Sequence, residues 1–363
     1  MNKVCIVVTG AGELGKAVGL LLTQFSPIEA TYFIADKNPE TARLAAQWIC
    51  EHNTKGRSIY PYHFDASRVG TTGHNLLRTA DLIIDCLPSI FAPQVARLAR
   101  RHNSHYVNST ACLPEIEEIQ EIALDSGIAF VLQAGIAPGL INLLLRDLFH
   151  YYRDLSNCSG VDYAGVRTAL LPSTETGSRD AVSQCSFLSC REAILISNIK
   201  QHVGFCPSIW ESNELSSRHV DASIMAGGNG NLVDALANRV RQSGHPIQLR
   251  TTCRSKLQGD EKNQDRLVAQ AIIEGYTEQG RPITLLKSCH VYPAQIGRCC
   301  MPALQLARAV LLLESARLVI HTEARGLVFT NQLDPLLLLQ SKLVQQFFLI
   351  EQKPEIICHQ SES

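Results

Sequence analysis

Over the first 135 positions, short β-branched apolar runs alternate with longer stretches of helical period. Val4-Cys5-Ile6-Val7-Val8 is a continuous apolar run, the pattern of a strand covered on both faces. The next stretch sets Leu14, Ala17, Val18, Leu21, Leu22 and Phe25 on one helical stripe. A second strand over 30–35 closes at Asp36, and Asn38-Pro39-Glu40 opens a helix reaching about Ile49. A third strand near 58–64 ends at Asp65, and a fourth, 81–85, is broken by Pro88. A helix over 91–101, a strand over 105–108, a helix over 114–126 and a strand over 128–133 complete the series. Strands alternating with helices of about 10–15 residues predict βαβ units and a doubly wound α/β parallel sheet.

The rhythm changes after about Leu140. A helix over 140–152 is followed by polar, Ser- and Cys-containing stretches at 154–160 and 173–190, then strand-like runs at 166–171, 248–253 and 284–291. This pattern predicts an inserted α+β domain over 141–300 with more antiparallel character. Residues 301–320 are apolar on nearly all sides and predict a helix packed between layers. Residues 301–350 are expected to return to the first domain, residues 1–140, and residues 351–363 to form a polar, frayed tail.

The chain has 363 residues, long enough for two domains, with 45% hydrophobic and 18% charged residues. Lys+Arg 33 against Asp+Glu 34 gives a net charge of −1, which argues against a nucleic-acid partner or a membrane-surface protein. No apolar run approaches the roughly 18–20 residues of a membrane span. The run after Met1-Asn2-Lys3 is also too short for a signal peptide, so a soluble cytoplasmic protein is expected. The 13 cysteines contain no C-x-x-C pair and the 12 histidines no H-E-x-x-H, so no metal site is expected. Most cysteines, Cys86 and Cys190 among them, read as reduced buried thiols.

The strongest chemical signal is Gly10-Ala11-Gly12-Glu13-Leu14-Gly15, a G-x-G-x-x-G turn between an apolar strand and a helix, with Asp36 about 20 positions on. Gly10 permits the tight turn, Gly12 lets backbone approach a diphosphate, and Gly15 lets the helix pack on the sheet. The helix start at Glu13 and Leu14 offers free N–H groups and the positive end of the dipole. Asp36 can accept hydrogen bonds from a ribose diol, which leans the cofactor towards NAD, while Lys37 beside it keeps NADP open. Asp65 can meet an adenine edge or stand solvated. Cys86-Leu87-Pro88 leaves the fourth strand where such a sheet presents residues to the far half of a dinucleotide.

With these residues in place, the sequence resembles the saccharopine dehydrogenase family. The likeness is carried by 10–15, by Asp81-Leu82-Ile83-Ile84-Asp85-Cys86-Leu87-Pro88-Ser89-Ile90-Phe91, by His105-Tyr106-Val107-Asn108-Ser109, and most specifically by Gly135-Ile136-Ala137-Pro138-Gly139-Leu140-Ile141-Asn142. Gly326-Leu327-Val328-Phe329 with Leu333-Asp334-Pro335 resembles the family's closing segment. Asn108 stands where the family usually has Asp, and the middle domain only distantly echoes its Trp-Ser stretch. The resemblance implies a Rossmann domain built from both chain ends, an inserted α+β domain, a homodimer, and NAD(P)-dependent chemistry at a C–N bond of an amino-acid or polyamine-like substrate. A catalytically silent dinucleotide-binding relative acting as a sensor or partner-binding module is the other reading it leaves open. An ordinary C–OH dehydrogenase is disfavoured, since no Tyr-x-x-x-Lys pair occurs.

Candidate chemistry follows from position. His105 or Tyr106 could relay a proton, and Asp85 is costly to desolvate unless it is paired or stands at a cleft. Ala137, Pro138 and Gly139 precede a helix whose N–H groups could bind a nicotinamide amide or a carboxylate. Asn108, Arg167 and Arg254 are the candidate substrate-binding residues, Arg because its fork matches a carboxylate.

Overall fold

The computed structural model describes residues 4–26, 30–109, 113–136, 139–154, 158–171, 266–277, 281–330, 333 and 335–358. The chain divides into two compact units. The first comprises 1–139, 293–330 and 341–347, and the second 140–292, 331–340 and 348–363.

The first unit is built on a seven-stranded sheet of β1 (Val4–Thr9), β2 (Ala30–Asp36), β3 (Ile59–His63), β4 (Leu82–Asp85), β5 (His105–Asn108), β6 (Ala129–Leu132) and β12 (Gly326–Phe329). Their spatial order is β3-β2-β1-β4-β5-β6-β12, and every pairing is parallel. The order reverses between β1 and β4, which creates a crevice above the carboxyl ends of those two strands. The inner strands need no polar face: β4 and β6 are buried throughout, as are Cys5 to Thr9 of β1.

Helices α1 (Glu13–Phe25), α2 (Pro39–His52) and α7 (Ala303–His321) pack against one another on one side of the sheet. On the other, α3 (Thr71–Thr79), α4 (Ala92–His102) and α5 (Leu113–Ala123) form a second group. Asn38 caps α2 with Pro39 in its first turn, as its sequence requires: its Oδ1 accepts from the Glu40 N–H at 3.0 Å. α7 is buried from Leu306 through Val319 apart from Arg308 and Arg317, the burial expected of an all-round apolar helix. A hairpin of β10 (Ala294–Ile296) and β11 (Cys299–Met301) leads into α7, and its Arg298 N–H satisfies the Trp48-to-His52 helix end by donating to the His52 carbonyl at 2.9 Å.

The second unit pairs β7 (Cys158–Leu171), β8 (Arg266–Thr277) and β9 (Pro282–Val291) antiparallel, and β13 (Phe348–Ile350) and β14 (Glu355–Cys358) both pair with β9. α6 (Leu140–Asp154) packs on this sheet, with short helices α8 (Pro335–Leu339) here and α9 (Lys342–Phe347) in the first unit. The antiparallel α+β character matches the expectation for the middle of the chain.

Three elements depart from the sequence reading. α3 was not anticipated, because TTGHNLLRT carries little helical propensity; burial of Gly73, Leu76 and Leu77 holds it. β12 adds a seventh strand, its register to β6 reinforced by the Thr330 hydroxyl donating to the Leu132 carbonyl at 2.9 Å. The end expected to fray contains β14 instead, since Ile356 and Ile357 provide β-branched pairing against β9. The strand expected at 248–253 lies outside the described residues.

Candidate functional site

The glycine turn leaves β1 at the crevice. Gly10 has φ +89°, and a Cβ there would press on the Cys86 carbonyl at 3.0 Å, so only glycine suits the position. At Gly15 a Cβ would lie 1.8 Å from the Gly10 carbonyl oxygen, so the absence of a side chain is what lets α1 start this close to the turn. Gly12 differs from both: a Cβ there meets nothing within 4 Å. Its glycine is not demanded by the protein's own packing, as is also true of the exposed Gly56 and Gly70.

No side chain caps the start of α1, although Glu13 lies in its first turn and forms an ion pair with Lys16. Glu13 is exposed and Leu14 half-buried. A helix end of this kind leaves N–H groups available to an anion. Gly12, Glu13 and Lys16 also border a cleft of about 530 Å³ that Thr41, Leu44 and Trp48 of α2 close. Lys16 lies 5.5 Å above the Trp48 ring.

Asp36 ends β2 beside this turn. One carboxylate oxygen accepts from the Ala11 N–H at 2.9 Å and the other from the Asn38 N–H at 3.0 Å. The carboxylate therefore ties the strand end to the glycine turn and remains half-exposed. Lys37 is exposed, and its charge reaches Asp65. Asp65 is spent locally, accepting from the Ser67 hydroxyl at 2.6 Å and the Ser67 N–H at 2.9 Å; these bonds hold its carboxyl below the usual range.

Three strands contribute one buried polar chain below the crevice. The Thr9 hydroxyl donates to Asp85 at 2.8 Å, the Leu87 N–H donates to the same oxygen at 3.0 Å, and the Tyr106 hydroxyl donates to the other at 2.8 Å. The Asn108 amide donates to the Tyr106 oxygen at 2.8 Å. Asp85 is 3% exposed, Tyr106 0% and Asn108 2%. Desolvation raises the Asp85 carboxyl from 3.8 to about 6 against the pull of hydrogen bonds from Tyr106, Leu87, Thr9 and Asn108, and burial beside Asp85 drives the Tyr106 phenol well upward. The network secures the turn after β4, where Cys86, Leu87 and Pro88 pass under the glycine loop: Cys86 N–H donates to the Thr9 carbonyl at 2.8 Å. Burial also pushes the Cys86 thiol up, as for an inert cysteine.

His105 does not share this place. It begins β5, paired with Leu82 at the start of β4, so it stands at the amino edge of a parallel sheet whose crevice lies at the carboxyl edge. Its Nδ1 faces the Ala129 N–H at 3.1 Å, and burial lowers its pKa. The expected proton relay by His105 is therefore corrected: a strand of four residues separates it from the turn.

Gly139 has φ +126° and packs so tightly that a Cβ would stand 2.1 Å from the Gly135 carbonyl oxygen, and it forms an isolated bridge with Gly135. Ala137, Pro138 and Arg254 lie outside the described residues. Arg167 lies in β7 of the second unit, opposite Gln270. Two residues were missed by sequence reasoning. Thr9 is the last residue of β1, one step before the glycine turn. Arg308 is exposed on α7 and its charge reaches Cys86; the signal available was an arginine inside the most apolar stretch of the chain.

The reversal of strand order, the open glycine turn and the strand-end carboxylate define a Rossmann-type dinucleotide-binding fold joined to an α+β unit. Residues 6–131 match the family model described as saccharopine dehydrogenase NADP binding domain. The resemblance to the saccharopine dehydrogenase family read from the sequence holds. The mitochondrial alpha-aminoadipic semialdehyde synthase of Bos taurus is 24% identical over 166 residues, 45% of this chain and 17% of that protein. The Mus musculus counterpart is 23% identical over 166 residues, with the same coverage. The matched stretch is thus a small part of those longer proteins. Among solved structures, apo saccharopine dehydrogenase (L-Glu forming) from Saccharomyces cerevisiae superposes with a TM-score of 0.60 at 13% identity, covering 97% of this chain and 99% of that one. Homospermidine synthase from Legionella pneumophila, in complex with NAD, gives 0.55 at 11% identity, covering 99% and 92%. At such identities these two likenesses establish the fold. Among the described residues no helix is long and apolar enough to cross a membrane, and no group of three metal-ligating side chains occurs.

Proposed function

We propose that this chain is an NAD(P)-dependent oxidoreductase acting on a C–N bond of an amino-acid or polyamine-like substrate, by imine reduction or secondary-amine oxidation. The observation that carries the proposal is the glycine turn itself: Gly10 at φ +89°, an uncapped helix start after Gly12, and a strand-end carboxylate, Asp36, bonded to the same turn. These residues fit a dinucleotide. The Gly12–Gly15 backbone and the start of α1 would hold its diphosphate, Asp36 a ribose diol, and Cys86, Leu87, Pro88 and Gly139 the further half. Arg308 would add a cation on that side. When bound, the cofactor supplies hydride transfer to or from the carbon of the C–N bond.

The protein's own part is binding, orientation and charge. Asp85, Tyr106 and Thr9 act as positioning residues: their bonds fix the turn after β4 relative to the glycine loop. Asp36 favours NAD, because a carboxylate repels a 2′-phosphate, although the family model bears the NADP name. Dimerisation through the second unit belongs to the same proposal.

A second reading is favoured by one observation. Asp85 and Tyr106, the acid–base candidates, are both enclosed and mutually satisfied. A catalytically silent relative that retains the cofactor as a sensor would look the same there. Turnover of NADH or NADPH with lysine, glutamate, polyamines and 2-oxoacids separates the two. Turnover with any of them supports the enzyme, and saturable cofactor binding without turnover supports the sensor.

A further inference from the structure

Helices α3 and α4 of the first unit meet through two imidazoles. His74 lies in α3 and His102 closes α4. The His74 Nδ1 and the His102 Nε2 stand 3.0 Å apart, with ring centroids at 5.2 Å, and both side chains are half-buried. A contact of this kind needs one N–H and one bare nitrogen, so it holds with both rings neutral or with one of them protonated. A second proton sets two N–H groups face to face and breaks it.

The surroundings oppose that second proton. Neither helix contains an Asp or a Glu. Of their arginines, Arg97 pairs with Glu118 of α5 and Arg100 donates to the Ile122 carbonyl. Arg78 and Arg101 form no ion pair among the described residues, and their charges join that of His74 in bearing on His102. Burial first, and these cations after it, hold the His102 pKa below its usual 6.5. An unfolded chain takes up the proton near that value and the folded chain only at lower pH. The stability this contact contributes is therefore complete above about pH 6.5 and is lost as pH falls through the folded value.

α3 has little else to hold it. It is nine residues long, starts at Gly70 without a side-chain cap, and buries Gly73, Leu76 and Leu77. Hydrogen bonds also reach it from the Tyr62 hydroxyl, which donates to the Thr72 carbonyl at 2.9 Å, and from the Ser104 hydroxyl, which donates to the Leu77 carbonyl at 3.4 Å. The Cys5 thiol lies 3.9 Å from the Thr79 hydroxyl, and burial pushes that thiol up. Tyrosine and cysteine ordinarily titrate well above neutrality, which leaves the imidazole pair as the contact governed by a proton between about pH 5 and 7. We propose that His74 and His102 form a proton-operated latch, which fixes α3 against α4 at neutral pH and releases α3 when both imidazoles are charged. Residues 65–70 run directly into α3, so release loosens the segment that carries Asp65 as well.

The test is amide hydrogen exchange of the full chain at about pH 7.5 and about pH 5, with rates corrected for the intrinsic effect of pH and read over α3, with α2 as the reference. Protection of α3 should fall about tenfold or more at the lower pH while that of α2 does not. Unfolding of the whole chain has a different signature, since it would expose α2 together with α3. His102→Gln and His74→Gln each leave one ring facing an amide that can give or take the bond, so the contact survives either charge state. In both variants the protection of α3 should be nearly the same at the two pH values. The pair of variants keeps the test open should one of them fail to fold. Equal protection of α3 at both pH values in wild type, a fall shared by α2, or the same fall in a folded Gln variant would each overturn the latch.

Discussion

Gly12 and Gly15 sit three residues apart in one motif and have opposite reasons to be glycine. A methyl group at Gly15 would collide with the Gly10 carbonyl at 1.8 Å, whereas one at Gly12 enters open space in an ordinary extended backbone (φ −73°, ψ −169°). Gly15→Ala should therefore cost about 3 kcal/mol of stability through backbone displacement. Gly12→Ala should leave stability within about 0.5 kcal/mol and weaken dinucleotide binding at least about tenfold. Urea unfolding and cofactor titration of both variants check the contrast; equal destabilisation would contradict it. Asp85 offers a second test at this scale. Its carboxyl is raised from 3.8 to about 6 by burial, so the folded chain holds a proton that the unfolded chain has released across that interval. Its contribution is present below about pH 4 and is lost as pH rises through about 6, on the order of 3 kcal/mol in total. Relative to Asp85→Asn, wild type should lose about that much between pH 4 and pH 7, measured by unfolding at both pH values. A pH-independent difference would show that the hydrogen bonds to Asp85 balance its desolvation, and a gain of stability between pH 4 and pH 7 that they outweigh it.

The elements that the sequence revealed are those whose residues report on local physics. β5 lies where expected because His105-Tyr106-Val107-Asn108 follows a left-handed Asn103 that ends the preceding helix. α2 begins where its Asn-Pro-Glu start requires. Asn38→Ala should therefore cost about 1 kcal/mol, readable as a lowered melting temperature, while a hydroxyl at the same position (Asn38→Ser) should restore most of it. α3 and β12 were hidden for the converse reason. One is a polar nonapeptide stabilised by three buried residues, and the other is four residues whose partner, β6, lies almost two hundred positions earlier. The site divides along the same line. The glycine turn and Asp36 were legible because their chemistry is local, whereas the Thr9–Asp85–Tyr106–Asn108 chain required knowing that three strands lie side by side. His105 was misplaced because it begins its strand, whereas a parallel sheet puts the crevice at the carboxyl ends.

At the scale of the molecule, one unit carries a parallel sheet with a crevice at its strand-order reversal and the other an antiparallel sheet with buried polar side chains. The near-neutral charge leaves no general attraction for polyanions, so recognition must come from the particular amides, carboxylates and guanidinium groups named above. Arg308→Gln should weaken cofactor binding several-fold, and more at low ionic strength than at high, without altering the melting temperature of the free protein. The account as a whole turns on whether the open side of the glycine loop receives a dinucleotide. Calorimetric titration of the full-length chain with NADH and with NADPH asks this directly. Saturable binding of one molecule per chain, tighter for NADH than for NADPH, is the result this structure predicts. Heats of dilution alone from both nucleotides would contradict it.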